Sequence, residues 1–270
     1  MSFKNNKSKS NIQKIIAVVC IVLVIVIWAV VYFATKKDDK PVQETIEVTT
    51  EAETTAPETT EETTTQVSYD YEMKIDLKKV NEYHEKNEDV VGWIYVEDTP
   101  IDYPIIKGKD NDEYLYSDWM GEYSHSGCIF EDYRCDIGKS ENTLIYGHNM
   151  AAGTMFHSIK SYRDEEWGMK HLFIEVATLD TRYLYEVFSV DILDGLKGAP
   201  FEYWNFIDMD KPDYENFIKG VKDNAKVWYA GKGANNTPAF DDKLLTLQTC
   251  ETGDDDGIRC CAFAKCLGEF

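Results

Sequence analysis

The sequence has little positive charge outside its first 40 residues. Residues 1–40 hold seven of the 28 basic side chains but only two of the 49 acidic ones. The rest of the chain therefore holds 21 basic and 47 acidic side chains. Such a surface repels phosphate backbones, so we expect no nucleic-acid partner.

The sequence also lacks the cysteine patterns of small disulfide-rich domains and of zinc knuckles. Its seven cysteines are an odd number, and a chain of 270 residues can bury a core without disulfides. A zinc site could use only the four cysteines nearest the end of the sequence, Cys250, Cys260, Cys261 and Cys266. They contain no Cys-x-x-Cys pair, so we expect no metal and interpret the last three as small strand residues. A bridge between Cys128 and Cys135 stays open.

A long apolar run occupies residues 15–34 and could cross the hydrocarbon core as a helix. Four lysines precede it, which favours a cytoplasmic N-terminus at residues 1–14. A cleaved signal peptide would need a shorter apolar core and a cleavage site of small residues, which residues 32–36 do not provide. We therefore predict a retained transmembrane anchor over residues 15–35.

Residues 36–70 are predicted to be a disordered acidic stalk. Within them, residues 41–70 contain ten Thr and eight acidic side chains with no Lys or Arg. So little apolar surface cannot offset the entropy lost on ordering, and like charges should extend the segment. The folded domain is then expected at residues 71–270, outside the cell.

Short apolar runs of strand-like composition, some of them flanking turn residues, predict many short strands in this domain. We place them at residues 92–96, 101–106, 128–130, 143–146, 172–178, 183–190, 226–230, 244–249 and 259–267. Helical spacing predicts helices at residues 76–88, 153–162 and 213–222. Many strands with few helices indicate a mainly β fold, a closed or nearly closed β-barrel.

Three side chains at strand ends carry the chemistry that the sequence suggests. Cys250 ends an apolar strand, where the ladder would fix the thiol while the following loop exposes it. His148 follows another strand and a glycine, so it could serve as the proton carrier for a thiol nucleophile. Arg259 opens the next strand and could meet Cys250 across a hairpin to stabilise an oxyanion. The alternative for Arg259 is a solvated pair with residues 254–256.

These residues resemble the signature of the sortases, membrane-anchored cysteine transpeptidases of Gram-positive bacteria. Residues 246–250 (Thr-Leu-Gln-Thr-Cys), Arg259 and residues 146–150 (Tyr-Gly-His-Asn-Met) carry the resemblance. Further matching blocks occur in the same order at residues 91–94, 99–104, 110–111, 114–115, 127–130 and 153–156. Together with the first helix and the helix before the last strands, they are similar to class B sortases.

The resemblance implies a sortase-like closed β-barrel of about eight strands, with an N-terminal helix and a helix inserted before the last strands. It implies that Cys250 is the nucleophile, His148 the proton donor and acceptor, and Arg259 the oxyanion-stabilising group. It implies no cofactor. Positions that match substrate contacts or should line the cleft are Asn111, Leu115, Gln248, Thr249 and Glu251.

The implied reaction cleaves the sorting signal of a surface protein after its Thr and holds the protein as a thioester on Cys250. An amine of the peptidoglycan precursor, or of a pilin, would then accept it. Two other hypotheses are a papain-type thiol hydrolase, whose cysteine context is absent, and a non-catalytic surface receptor.

The chain departs from the class B pattern at Gln248, where relatives usually have Ser, although an amide could still hydrogen-bond there. Cys260 and Cys261 replace the usual aliphatics of the last strand and should behave as small hydrophobes. The acidic residues 254–256 would disfavour a thiolate at Cys250, so we expect their loop to point away. A second hypothesis is that the loop attracts the cationic acceptor amine. They lack the spacing of a calcium loop.

Overall fold

The computed structural model describes residues 71–233, 235–252 and 257–270. The strands are β1 Val90–Tyr95, β2 Asp102–Ile106, β3 Ile129–Glu131, β4 Asn142–Tyr146, β5 Phe173–Ala177, β6 Arg182–Asp194, β7 Ala225–Trp228, β8 Leu244–Cys250 and β9 Ile258–Glu269. The α-helices are α1 Leu77–His84, α2 Glu165–Lys170 and α3 Lys211–Asn224. A first 3-10 helix spans Phe156–Arg163 and a second spans Tyr203–Asn205.

The strands form one sheet in the order β5-β1-β2-β3-β4-β8-β9-β6-β7, and β5 also pairs with β6. This last pairing closes eight strands into a barrel and leaves β7 attached outside, along β6. Strands β2 and β3 are parallel, as are β4 and β8, whereas the other pairs are antiparallel. The predicted eight-stranded barrel, its N-terminal helix and the helix before the last strands are confirmed.

Two apolar clusters hold the barrel together. The larger fills its interior with alternate side chains of the strands, including Ile94, Ile145 and Leu247, and receives Phe156 and Tyr162 from the first 3-10 helix. The second lies between the outer face of β6 and β9 and helix α3. Both clusters bury their members almost completely.

Helix α3 is longer than its predicted range of 213–222. Asp210 caps its first turn by accepting from the backbone N–H of Asp213, and Pro212 follows in that turn, where no intrahelical N–H is needed. Tyr214, Phe217 and Val221 are its buried side chains, as the helical spacing of the apolar residues indicates.

The other helix predictions need correction. Helix α1 ends at His84 rather than at residue 88, because the chain turns there toward β1. The helix predicted at 153–162 is of the 3-10 type and begins at Phe156. Helix α2, capped by the Asp164 side chain, and the second 3-10 helix are too short for a periodic signal to reveal them.

The cysteines within the described residues are unbridged. Cys128 and Cys135 do not pair: the Cys128 thiol donates to the Ser117 carbonyl and the Cys135 thiol to that of Asn142. Within residues 71–233, 235–252 and 257–270, no helix is long and apolar enough to span a bilayer. The predicted anchor and stalk, residues 15–35 and 36–70, lie outside the described residues.

Candidate active site

The register of β4, β8 and β9 brings the three predicted catalytic residues together. Cys250 lies directly opposite Arg259 in the antiparallel pair of β8 and β9. Tyr146 lies opposite Gln248 in the parallel pair of β4 and β8, and the next N–H, that of Gly147, donates to the Gln248 carbonyl at 3.1 Å. His148 and Cys250 each follow two residues after this pair, so they lie on the same face of the sheet.

A cavity of about 710 Å³ opens over this row. His148, Cys250 and Arg259 all line it, beside the ends of three adjacent strands. Cys250 is half-buried at the end of its strand, so the thiol is accessible from the cavity while its backbone is held by β9. A thiol, an imidazole and a guanidinium thus face one cavity, which is what a nucleophile, a proton carrier and an oxyanion donor would require.

The imidazole of His148 is oriented by the loop that holds Leu115 and Tyr116. Its Nε2 lies 2.8 Å from the Leu115 carbonyl oxygen, which can only accept, so Nε2 carries the proton of this bond. The Tyr116 ring lies 5.3 Å from the imidazole, centroid to centroid. In neutral His148 the other nitrogen, Nδ1, is then the one able to take up a proton.

Gly147 is a glycine because two side chains approach its Cα. A Cβ at this position would lie 2.4 Å from Cδ1 of Ile129 and 2.8 Å from Cγ of Phe156. We expect Gly147→Ala to lower the free energy of unfolding by about 1–3 kcal/mol, because both neighbours are buried and must move.

The same change should also lower activity, since relief of the clash displaces the residue next to His148. Denaturant unfolding and a peptide-cleavage assay would measure the two effects. Gly268→Ala is the matched control for added bulk, because its φ is not positive and a Cβ there would lie 3.6 Å or more from its nearest neighbours, the ring atoms of Phe270. Unchanged stability of Gly147→Ala would contradict the prediction.

Arg259 is packed against a second glycine. A Cβ at Gly195 would lie 2.6 Å from Cγ of Arg259, and the Gly195 N–H donates to the Gly257 carbonyl at 2.8 Å. One guanidinium nitrogen of Arg259 donates to the carbonyl of its own neighbour, Ile258, at 3.3 Å. The side chain is thus directed along the cavity wall and only half-buried.

Gln248 lies on the face of β8 that carries Cys250, two residues earlier, and lines the cavity. The hydroxyl of the buried Tyr203 lies 2.5 Å from Oε1 of Gln248 and donates to it. Because Tyr203 occupies the oxygen, the amide nitrogen is left as a donor for other groups.

The other predicted substrate residues are placed differently. Leu115 and Asn111 line the cavity, but the Asn111 carboxamide is already engaged, donating to Asp132 at 2.9 Å and accepting from the Tyr133 N–H at 3.0 Å. Thr249 also borders the cavity, yet its side chain is buried on the opposite face of β8 from Cys250. Glu251 is not a lining residue; its carboxylate pairs with Arg163.

Asp132 anchors the wall beside Asn111. Burial alone would raise the pKa of this carboxyl, but hydrogen bonds from Arg134, Tyr146 and Asn111 more than offset that effect and hold the pKa below its ordinary value. The ionised carboxylate thereby fixes the side chain of Tyr146, which lies two residues before His148. Sequence reasoning missed Asp132 and Tyr116; the position of Tyr116, directly after Leu115, was the available signal.

Two further cysteines follow Arg259 directly in β9. No group of three or more His, Cys, Asp or Glu within the described part of the chain could hold a metal ion. Cys260 and Cys261 are fully buried, as predicted for small hydrophobes, and burial raises the pKa of Cys260 to about 12. Residues 254–256 lie outside the described residues, so the predicted course of their loop stays a prediction.

Comparisons with known proteins agree on one family. The Sortase domain model matches residues 94–266. Sortase B of Listeria monocytogenes is 34% identical over 185 residues, covering 67% of this chain and 68% of that protein.

Two solved structures share the fold. The Staphylococcus aureus sortase B–substrate complex matches with a TM-score of 0.62 at 27% identity, covering 70% of this chain and 84% of that one. Clostridium perfringens sortase B matches with a TM-score of 0.58 at 31% identity, covering 69% of this chain and 98% of that one. The chain therefore belongs to the sortase family, as a class B sortase, a cysteine transpeptidase.

Proposed function

We propose that this transpeptidase cleaves the sorting signal of a surface protein after its Thr and joins the protein to an amine of the cell-wall precursor. The observation that carries the proposal is the single row of His148, Cys250 and Arg259 beside one cavity. A likeness to a sortase B solved with its substrate supports the same substrate class.

In the first half of the reaction the Cys250 thiolate attacks the Thr carbonyl carbon. The resulting oxyanion lies near Arg259, whose permanent charge stabilises it. Collapse of the intermediate breaks the peptide bond, and His148 gives a proton to the leaving amine. The products are a thioester on Cys250 and the released tail of the signal.

In the second half an acceptor amine enters the cavity and attacks the thioester carbonyl. His148 takes the proton that the amine loses, Arg259 again holds the oxyanion, and the Cys250 sulfur leaves. A new amide joins the surface protein to its acceptor. We propose the peptidoglycan precursor as the acceptor; a pilin amine is the alternative within the same chemistry.

Leu115 and Gln248 are proposed to contact the signal peptide, because both line the cavity beside the catalytic row. Asn111 and Thr249 would shape the wall, the first through its bonds to the Asp132 carboxylate and the Tyr133 N–H, and the second through the strand that carries Cys250. Glu251 would act only at the rim, since Arg163 neutralises its carboxylate. We further propose that residues 15–35 anchor the enzyme in the membrane, N-terminus inside, with the catalytic domain outside.

Mass spectrometry of residues 71–270 with a peptide panel tests the reaction. The panel carries Asn-Pro-x-Thr-Asn and Ser- or Pro-Pro-x-Thr-Gly signals, with triglycine or a diaminopimelate peptide as the amine. We expect cleavage after Thr, an adduct on Cys250 and transfer to the amine, all lost in Cys250→Ala. Release of the acid alone, with no transfer, would support a thiol hydrolase. If wild type forms no adduct on Cys250, and wild type and Cys250→Ala bind the signal peptides equally well, the result would support a receptor.

Removing the Tyr203 hydroxyl should weaken substrate binding through Gln248. In Tyr203→Phe the Gln248 amide can rotate, so its nitrogen is no longer held toward the cavity. We expect KM to rise by about three- to tenfold with kcat nearly unchanged, equivalent to one hydrogen bond. Tyr214→Phe, another buried tyrosine, is the control. A fall in kcat at constant KM would contradict the proposed role of Gln248.

A further inference from the structure

We propose that the first 3-10 helix sets the separation of His148 and Cys250, with His157 and Arg163 as its positioning residues. The inference rests on the proposed function, in which these two side chains exchange protons with the same substrate. It assigns a task to Glu251 that differs from lining the cleft.

The helix is a fixed reference. Phe156, Ile159 and Tyr162 are fully buried in the barrel interior. The Tyr162 hydroxyl also donates to the His171 carbonyl at 2.6 Å. An element seated in this way cannot shift without disturbing the core, so whatever it holds shares its position.

On the side of His148 the helix makes two contacts. The Phe156 N–H donates to the His148 carbonyl at 3.0 Å, which holds the catalytic residue by its backbone. Nδ1 of His157 lies 2.8 Å from Oδ1 of Asn149, the residue directly after His148. The loop after β4 is thus tied to the first turn of the helix.

On the side of Cys250 the last residue of the helix makes the contact. Arg163 pairs with the carboxylate of Glu251, the residue directly after Cys250. The two side chains are 36% and 19% exposed, so the pair is partly shielded from water and persists better than a fully exposed one. The strand end that carries the thiol is thus tied to the same helix.

Asn149 joins the two sides directly. Its Nδ2 donates to the Glu251 carbonyl at 3.4 Å while its Oδ1 faces His157. The Glu251 oxygen can only accept, so the amide nitrogen must face it, and the amide oxygen then accepts from the His157 N–H. One carboxamide therefore links the residue after His148 to the residue after Cys250.

The link matters because the sheet alone leaves His148 weakly placed. Strand β4 ends at Tyr146, so His148 lies beyond the paired positions, whereas Cys250 is still opposite Arg259. Proton transfer requires hydrogen-bond reach, and a displacement of about 1 Å can cost about 10²-fold in rate. The helix supplies the constraint that the strand no longer gives.

Two pairs of variants test the positioning role. His157→Leu removes the donor to Asn149, whereas His157→Asn keeps an N–H near the position of Nδ1. Arg163→Met removes the ion pair, whereas Arg163→Lys retains the charge. Lys160→Met is the matched control, because it removes a cation from the same helix without a contact to Glu251.

We expect His157→Leu and Arg163→Met each to lower kcat about tenfold or more at nearly constant KM, with partial rescue in the conservative variants. Alkylation of Cys250 by iodoacetamide is followed in parallel, because it needs no sorting signal. Its rate in these variants should move toward that of His148→Ala. Rates and kcat equal to those of Lys160→Met would overturn the inference. If wild type cleaves no peptide, the proposed function fails, while the alkylation rates still decide this inference.

Discussion

Replacing Arg259 by methionine is expected to lower kcat about 10²- to 10³-fold, the usual cost of losing one oxyanion donor. The residue lies opposite Cys250 across the β8–β9 pair and lines the same cavity. Methionine keeps the apolar stem that packs on Gly195 but removes the charge. Because the charge on the substrate oxygen develops mainly in the transition state, KM should change much less than kcat.

The geometry of the charge should matter as well as its presence. Arg259→Lys retains a cation but loses the planar fork, so we expect it to recover only part of the activity. Lys78→Met, an exposed change on helix α1, controls for the altered net charge. Steady-state kinetics with the cleaved peptide would separate the constants. If Arg259→Met raised KM alone, Arg259 would bind the ground state and the assigned role would be wrong.

The sequence was sufficient to predict most of the fold, because its strands are short apolar runs of strand-like composition. Each of the nine predicted strands has a counterpart in the sheet, with ends displaced by a few residues. The proximity of the three proposed catalytic residues could also be predicted, since Cys250 ends an apolar run, His148 follows another, and Arg259 opens the next strand. Residues at the ends of adjacent strands lie close together in space.

The contacts around these three residues could not be predicted from the sequence. The pairing of Glu251 with Arg163 joins residues 88 positions apart through a 3-10 helix that has no strong periodic signal. The engagement of Asn111 by Asp132 depends on burial of that carboxyl, which composition does not reveal. The partners of side chains near a site depend on tertiary contacts, whereas strands can be recognised from the local sequence pattern.

Asp191 lies on β6, two residues before the position that pairs with Arg259, and is fully buried. It is opposite Cys261, which is opposite Gln248. The Ser189 hydroxyl donates to one carboxyl oxygen at 2.5 Å, and the other has no hydrogen-bond partner among the residues that the structure describes. Burial raises the pKa of Asp191 from 3.8 to about 8, although the bond from Ser189 lowers it in part.

This shift makes the protein less stable as pH rises. The unfolded carboxyl loses its proton above about pH 4, whereas the folded one keeps it to about pH 8, so the native state binds more protons in that window. The free energy of unfolding must therefore fall with increasing pH between these limits. A neutral Asp191 also places no negative charge near the row of Cys250 and Arg259.

Asp191→Asn should remove this pH-dependent cost. Asparagine cannot ionise, and its Oδ1 can still accept from Ser189. We expect the substitution to raise the free energy of unfolding by about 2–5 kcal/mol near pH 8 and to change it little near pH 4. Denaturant unfolding of residues 71–270 at both pH values measures the difference.

Asp208→Asn, at an exposed aspartate, is the matched control and should be neutral at both pH values. Cleavage activity of Asp191→Asn near pH 7 should equal that of wild type, because the native carboxyl is already uncharged there. Equal stabilisation at both pH values would mean that packing, not ionisation, limits this position. A loss of stability near pH 8 would show that Asp191 is ionised in the fold and held by a cation.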